Sequence, residues 1–393
     1  MSHSPNPTPG IARIEAHVFR APTPRPVATS FGVMRDRPAV FIRVEDSEGA
    51  FGWGEIFANW PASGAEHRAR LLAEDIAPLV LGQPAGDPTE LWRRLSARVA
   101  IRALQCGEPG PFAQVLAGID TALSDLAARR AGLPLARWLD AGAADSVTVY
   151  ASGLQVSAAA DGIAASRRWG IAAFKVKIGF DRVSDLRHLT TLAGDLAPGE
   201  QLMADANQAW DREATLAFLA DTATLPLGWL EEPIAANAPA ADWAAIAATS
   251  PHPLAGGENI AGEDDFDAAI GAGHLAVIQP DVAKWGGVTG NIAVARSAIA
   301  AGRRYCPHFL GGGIGLVASA HLLAAARAAP TADGILELDA NENPLRDAFF
   351  DADPVEGGSF RIAPALGLGI DRLPEGIERF RTLHLNITAP RAS

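Results

Sequence analysis

The chain has 393 residues, of which 48% are hydrophobic and 20% charged, with a formal net charge of -12. That length allows two or three domains and a sizeable core. The acidic balance, without a clustered lysine and arginine stripe, argues against a nucleic-acid partner, and no apolar run approaches the ~18 residues that span a bilayer.

Cys106 and Cys306 are the two cysteines. They make neither a disulfide framework nor a metal-type spacing, which suits a reducing cytoplasm. Residues 1–10 are rich in Pro and Ser and lack a basic and an apolar region in series, so they read as a frayed tail, not a signal peptide.

Residues 11–60 alternate apolar and polar in three runs, an antiparallel meander closed by a turn at Asp46 to Gly49. Between the first two runs, residues 21–38 hold four prolines with Arg25, Arg35 and Arg37. This segment reads as a long mobile loop and lid whose arginines are solvated, and residues 57–61 make a second such loop. From residue 65 the period becomes helical. Val115, Ile119, Ala122, Leu123 and Leu126 form a stripe, interleaved with Asp120 and Asp125.

From Ser146 the pattern alternates strand and helix. Strands are expected near 147–152, 173–178, 201–206, 228–232, 253–258, 276–281, 303–308 and 334–339, with helices starting around Ser157, Asp181, Asp211, Pro239, Gly262, Gly287 and Gly313. Six polar signatures end successive strands: Lys175-Val176-Lys177, Asp205-Ala206-Asn207, Glu231-Glu232-Pro233, Gly257-Glu258-Asn259, Pro280-Asp281 and Pro307-His308. Steps of roughly 23 to 28 residues are what a strand, a loop and a return helix consume in a parallel barrel, whose strand ends converge on one mouth. The competing architecture is a doubly wound open sheet, which would gather its ligands at one switch point. Six polar strand ends in succession favour closure.

Asp205, Glu231 and Glu258 end three consecutive strands. Three carboxylates brought together repel unless a proton or a cation neutralises them, and a hard divalent cation with oxygen ligands is the natural partner. With no His or Cys at those ends, the set favours Mg²⁺ and leaves Mn²⁺ open over zinc. Lys175 and Lys177 flank one residue and so point the same way. Next to each other and to a divalent cation, they are expected to be pushed toward neutrality, where a lysine acts as a base. Asp281 and His308 end neighbouring strands, as a carboxylate orienting an imidazole does. Glu337, in the eighth strand, completes the ring. The run Gly311-Gly312-Gly313-Ile314-Gly315 resembles a phosphate cradle but lacks a following Walker lysine.

In order and in kind these signatures resemble the enolase superfamily, and within it the mandelate racemase and muconate lactonizing enzyme subgroup, over nearly the whole chain. The resemblance implies an α/β fold: a modified (β/α)7β TIM barrel at 141–350, an α+β capping domain at 1–140 carrying substrate-choosing loops, and a segment at 351–393 that packs back on the cap. It implies Asp205, Glu231 and Glu258 as Mg²⁺ ligands and Lys177 as one base, tuned by Lys175. His308 with Asp281 would be the opposing base or acid, Glu337 the electrophilic glutamate, and Asn207 and Lys284 supporting groups. The implied partner is a small-molecule carboxylate, and homo-oligomers are the family's habit. The implied first step removes the proton α to a carboxylate, giving a metal-stabilised enediolate. Dehydration of a hydroxy acid or acid sugar to a 2-keto acid leads. Racemisation or epimerisation by 1,1-proton transfer is the alternative, ahead of cycloisomerisation and of a silent carboxylate-binding barrel.

Overall fold

The computed structural model describes residues 8–30, 32–326 and 333–388. Residues 1–7, expected to form a frayed tail, lie outside them. Three strands open the chain: β1 (Ile11–Thr29), β2 (Gly32–Asp46) and β3 (Phe51–Ile56). Eight more follow as β4 (Ser146–Gln155), β5 (Ala173–Lys177), β6 (Gln201–Asp205), β7 (Leu227–Glu231), β8 (Leu254–Gly256), β9 (Val277–Ile278), β10 (Arg304–Tyr305) and β11 (Leu336–Asp339). β12 (Val355–Glu356), β13 (Ser359–Arg361) and β14 (Arg381–Thr388) complete the set.

The parallel strands run in spatial order β11-β4-β5-β6-β7-β8-β9-β10. Closure falls between β10 and β11, where a Cβ on Gly334 would sit 2.0 Å from the Tyr305 carbonyl oxygen. Only a glycine lets the two backbones approach that closely. The seven expected helices fill the crossovers. Asp181 and Asp211 cap two of them, accepting from the Ser184 and Ala214 amides at 2.8 Å. After β11 only a short turn of helix, Pro344–Asp347, stands where an eighth would be. Among the described residues no helix is long and apolar enough to cross a membrane.

β9 and β10 have two residues each, shorter than their expected runs. Pro280 and Pro307 carry no N–H to continue a ladder, so Asp281 and His308 continue as an isolated bridge to one another beyond it.

The capping sheet has the order β14-β1-β2-β3. One of its faces packs on the helix Pro109–Arg130. Contact is close: a Cβ on Gly54 would lie 2.1 Å from the Gly118 carbonyl oxygen, and one on Gly52 2.0 Å from that of Ala122. The C-terminal segment divides between the two layers, β13 pairing antiparallel with β4 and β14 with β1.

Residues 21–38 are not the expected loop. β1 and β2 continue as a ladder to Thr29 opposite Gly32, slipping register between Pro22 and Val27. The proline-rich stretch bulges the ribbon instead of opening it: pairing with β14 ends at Phe19 and with β3 at Val40, so here each strand has one neighbour and tolerates missing donors on its free side. At its tip Ser30 Oγ donates to the Asn207 carbonyl at 2.7 Å. Arg37 is not solvated either: 1% exposed, it binds Asp339 Oδ2 at 2.6 Å. The Arg25 side chain lies outside the described residues, and Arg35 is exposed.

Candidate active site

The barrel brings all ten residues singled out from sequence into one connected network at the carboxyl ends of its strands. Alternation along β5 sends Lys175 and Lys177 to the same side, and both are buried. Lys175 Nζ lies 2.5 Å from Glu231, 2.8 Å from Glu337 and 3.7 Å from Asp205, while Lys177 Nζ lies 2.6 Å from Asp205. Asn207, at a left-handed φ of 45°, donates its amide to Asp205 Oδ1 at 2.8 Å. Across the ring, His308 Nδ1 meets Asp281 Oδ2 at 2.8 Å and its Nε2 lies 3.2 Å from Glu258. Lys284 Nζ also bonds Glu258, at 2.5 Å.

Several participants carried no sequence signal of their own. Trp229 Nε1 and Gln279 Nε2 donate to Glu231 Oε2 at 3.0 and 2.7 Å. Ser152 Oγ donates to Glu337 Oε1 at 2.5 Å and the Phe309 amide to its Oε2 at 3.0 Å. Ser152 lies within β4 at the end of the expected span 147–152, and a period-2 reading of that span puts it on the side of Tyr150. Glu232, after Glu231, turns away through a φ of 37° and accepts from Asn259 Nδ2.

The glycine run after β10 binds a protein carboxylate, not a phosphate: Gly312 and Gly315 donate their amides to Glu55 of β3 at 2.6 and 2.8 Å. Glu55 thus ties the cap to the helix Gly313–Ala326. Burial, opposed by those two amides and aided by Asp281, pushes its pKa up to about 7. The folded protein therefore holds a proton that the unfolded chain releases from about pH 4.5. The contribution of Glu55 to stability is full below that pH and is lost as pH rises through 7, about 3 kcal/mol in all. Glu55→Gln should flatten the dependence of the urea midpoint on pH between 5 and 7, and an unchanged slope would remove Glu55 as its source.

Burial works against charge on Lys175, but Glu231 and Glu337 outweigh it and hold its pKa well above the ordinary lysine value. Lys177 is likewise raised, by Asp205 against burial. The expected drift toward neutrality is therefore absent among the protein groups alone, because carboxylates outnumber the cations facing them. Burial lowers His308 less than Glu258, Glu337 and Asp281 raise it, to about 9. Burial and Asp205 push Glu231 up to about 7.

Five carboxylates (Asp205, Glu231, Glu258, Asp281, Glu337) thus face three lysines and one imidazole. The donors on β6, β7 and after β8 are all oxygens, and their ammonium partners already occupy cation positions among them. That set fits a hard divalent cation, which would supply the missing positive charge and reverse the local pKa pattern.

A barrel of this topology with polar strand ends, under an α+β cap fed by both chain ends, defines a class of capped-barrel proteins. The chain belongs to the enolase superfamily, mandelate racemase and muconate lactonizing enzyme subgroup: residues 13–139 match the mandelate racemase / muconate lactonizing enzyme N-terminal domain and residues 158–375 the enolase C-terminal domain-like family. It is similar to a mandelate racemase/muconate lactonizing enzyme structure from Bordetella bronchiseptica RB50, at 48% identity and a TM-score of 0.87 over 93% of this chain and 97% of that one. It is 28% identical to D-galactarolactone cycloisomerase of Agrobacterium fabrum, over 94% of this chain and 98% of that protein. L-Talarate dehydratase from Polaromonas sp. JS666, solved with Mg and L-glucarate, shares 25% identity and a TM-score of 0.81 over 97% of this chain and 100% of that one.

Proposed function

We propose that this protein removes the proton α to a carboxylate of an acid sugar or hydroxy acid and dehydrates the product to a 2-keto acid, with Mg²⁺ held by Asp205, Glu231 and Glu258. The observation that carries this reading is the placement of two basic groups. Lys177 ends β5 and His308 follows β10, three strands apart by the shorter way round an eight-strand ring. They face the mouth from opposite sides, with the carboxylates of β6 to β8 between them.

Bound there, the cation would take the substrate carboxylate and offset charge as it develops on the enediolate oxygens. Lys177 Nζ or His308 Nε2 takes the α-proton, and the other delivers one to the departing hydroxyl. Asp281 holds the tautomer that leaves Nε2 facing inward. Lys175 positions Lys177 and Glu231, and Glu337, fixed by Ser152 and the Phe309 amide, presents a carboxyl to substrate oxygen. Lys284 and Asn207 orient Glu258 and Asp205.

Cycloisomerisation is the second reading, favoured by the full-length similarity to a galactarolactone cycloisomerase. Racemisation uses the same residues. Incubating a set of aldarates, aldonates and their lactones in deuterated water with Mg²⁺ separates the three. Dehydration gives a 2-keto acid trapped by semicarbazide. Racemisation gives solvent deuterium at Cα without loss of water, and cycloisomerisation consumes the lactone itself without loss of water, giving an isomer that differs in mass only by solvent deuterium. No exchange, keto acid or lactone turnover with any carboxylate would overturn the proposal.

The metal assignment has its own test. Glu258→Gln should weaken Mg²⁺ binding at least about tenfold, since losing even an outer-shell partner costs 10–100-fold. Calorimetric affinity equal to wild type would remove Glu258 from the ligand set.

A further inference from the structure

The face of the capping sheet opposite the helix Pro109–Arg130 carries a second cluster of metal-ligand side chains. His17 and His384 are directly opposed in the β1–β14 register, and Glu15 lies two residues from His17 on the same face. One ligand atom from each of the three falls within 4.8 Å of the others. The two imidazoles stack at 4.5 Å between centroids, and His384 Nε2 lies 3.8 Å from Glu15 Oε1.

His17 makes the cluster more than a coincidence of surface residues. It is 7% exposed, walled in by His384 and the Trp53 ring at 5.9 Å, and neither ring nitrogen has a hydrogen-bond partner among the described residues. A buried polar ring with both nitrogens unpaired is costly and calls for a partner. Imidazole coordination to a cation would supply one.

We propose that Glu15, His17 and His384 form a second metal site, for a borderline divalent cation of the zinc class, separate from the oxygen-only set at the barrel mouth. Two imidazoles and one carboxylate, with a fourth position left to water, are a ligand set that zinc accepts in tetrahedral geometry. Mixed nitrogen and oxygen donors select such a cation over Mg²⁺. Glu15 divides its oxygens: Oε2 faces Arg43 at 3.5 Å, while Oε1 lies 3.8 Å from His384 Nε2 and 3.9 Å from Arg13, whose closer partner is Glu45 at 2.7 Å. Arg381 and Arg43 are the arginines whose charge acts on His17. Each is already paired, Arg43 with Glu45 and Arg381 with Glu378. His384 stands on the exposed side and rotates about its side-chain bonds to close on the ion without backbone movement. Among the described residues β14 is an edge strand whose one strand neighbour is β1, so ligands from both strands would staple β14 to the cap.

The test uses the full chain, stripped of metal and kept in excess Mg²⁺ so that the barrel mouth does not compete. Zinc is titrated calorimetrically, and Co²⁺ reports ligand geometry through its visible absorption. The expected result is one zinc equivalent per chain and a tetrahedral Co²⁺ band. In His384→Ala and in Glu15→Gln affinity should fall at least about tenfold, with turnover unchanged. Zinc should also slow amide exchange across residues 381–388 in the wild type and not in His384→Ala. Wild-type protein that takes up no zinc in excess Mg²⁺, or His384→Ala that binds it as tightly as wild type, overturns the site.

Discussion

Lys177→Ala is expected to lower kcat by about 10²–10⁴, the usual contribution of a positioned acid–base group, while Mg²⁺ affinity changes little. The argument rests on position. Lys177 Nζ is buried on the inner side of β5, bonded to Asp205 and one turn of the pleat beyond Lys175. Its loss leaves Lys175 clasped between Glu231 and Glu337, two strands' worth of carboxylates that hold its proton. His308→Asn should cost a similar factor, because asparagine keeps the hydrogen bond to Asp281 but cannot carry the proton. The two losses should not be equivalent in kind. In deuterated water each variant should still exchange the α-proton of the substrate configuration facing its surviving base, and lose exchange of the other. Exchange of both configurations by Lys177→Ala at the wild-type rate would remove Lys177 from the proposed role.

The second large effect concerns stability. Asp339→Asn is expected to cost about 3–5 kcal/mol, the range found when one partner of a buried ion pair is deleted. Arg37 and Asp339 are joined at 2.6 Å across the boundary of cap and barrel, with side chains 2% and 4% exposed. Arg37 makes that contact through Nη2, and its Nε has no hydrogen-bond partner among the described residues, so neutralising Asp339 strands a guanidinium charge away from water. The next cation, Arg346, lies 3.9 Å from the same carboxylate and keeps its closer pair with Asp347, at 2.6 Å, so the loss falls on Arg37. Replacing both members, as Arg37→Met with Asp339→Leu, should recover most of the loss, since buried pairs contribute little net stability over a well-packed apolar substitute. Urea unfolding of the two singles and the double measures the coupling. A single-variant cost below about 1 kcal/mol, the range of an exposed pair, would show that water reaches the site.

The barrel was legible because its signal is repeated. Eight strands alternate with seven helices, six successive strands end in an acid or a base, and each recurrence constrains the others. Carboxyl-terminal placement of Lys177, Asp205, Glu231, Glu258, Asp281 and His308 followed from spacing alone. The helix starts at Asp181 and Asp211 were equally readable, because a capping carboxylate acts on amides two or three residues away. The segment 21–38 was misread as an open loop for a matching reason. Proline content reports what a segment cannot donate, and an edge ribbon with a register slip needs few donors there.

By itself, then, the sequence determined the periodic and the local: the strand and helix order, the identity of the strand-end groups and the side of each strand they occupy. Those properties depend on neighbours within about one element. Only the tertiary structure decided what those groups meet. It placed Arg37 against Asp339, 302 residues apart, and gave the Gly312 and Gly315 amides to Glu55. It set Ser152 and Gln279 behind two of the carboxylates, and His17 opposite His384. Such pairings carry no sequence period. The first two are fixed by how cap and barrel close on one another, the next by closure of the barrel, and the last by the pairing of β14 with β1.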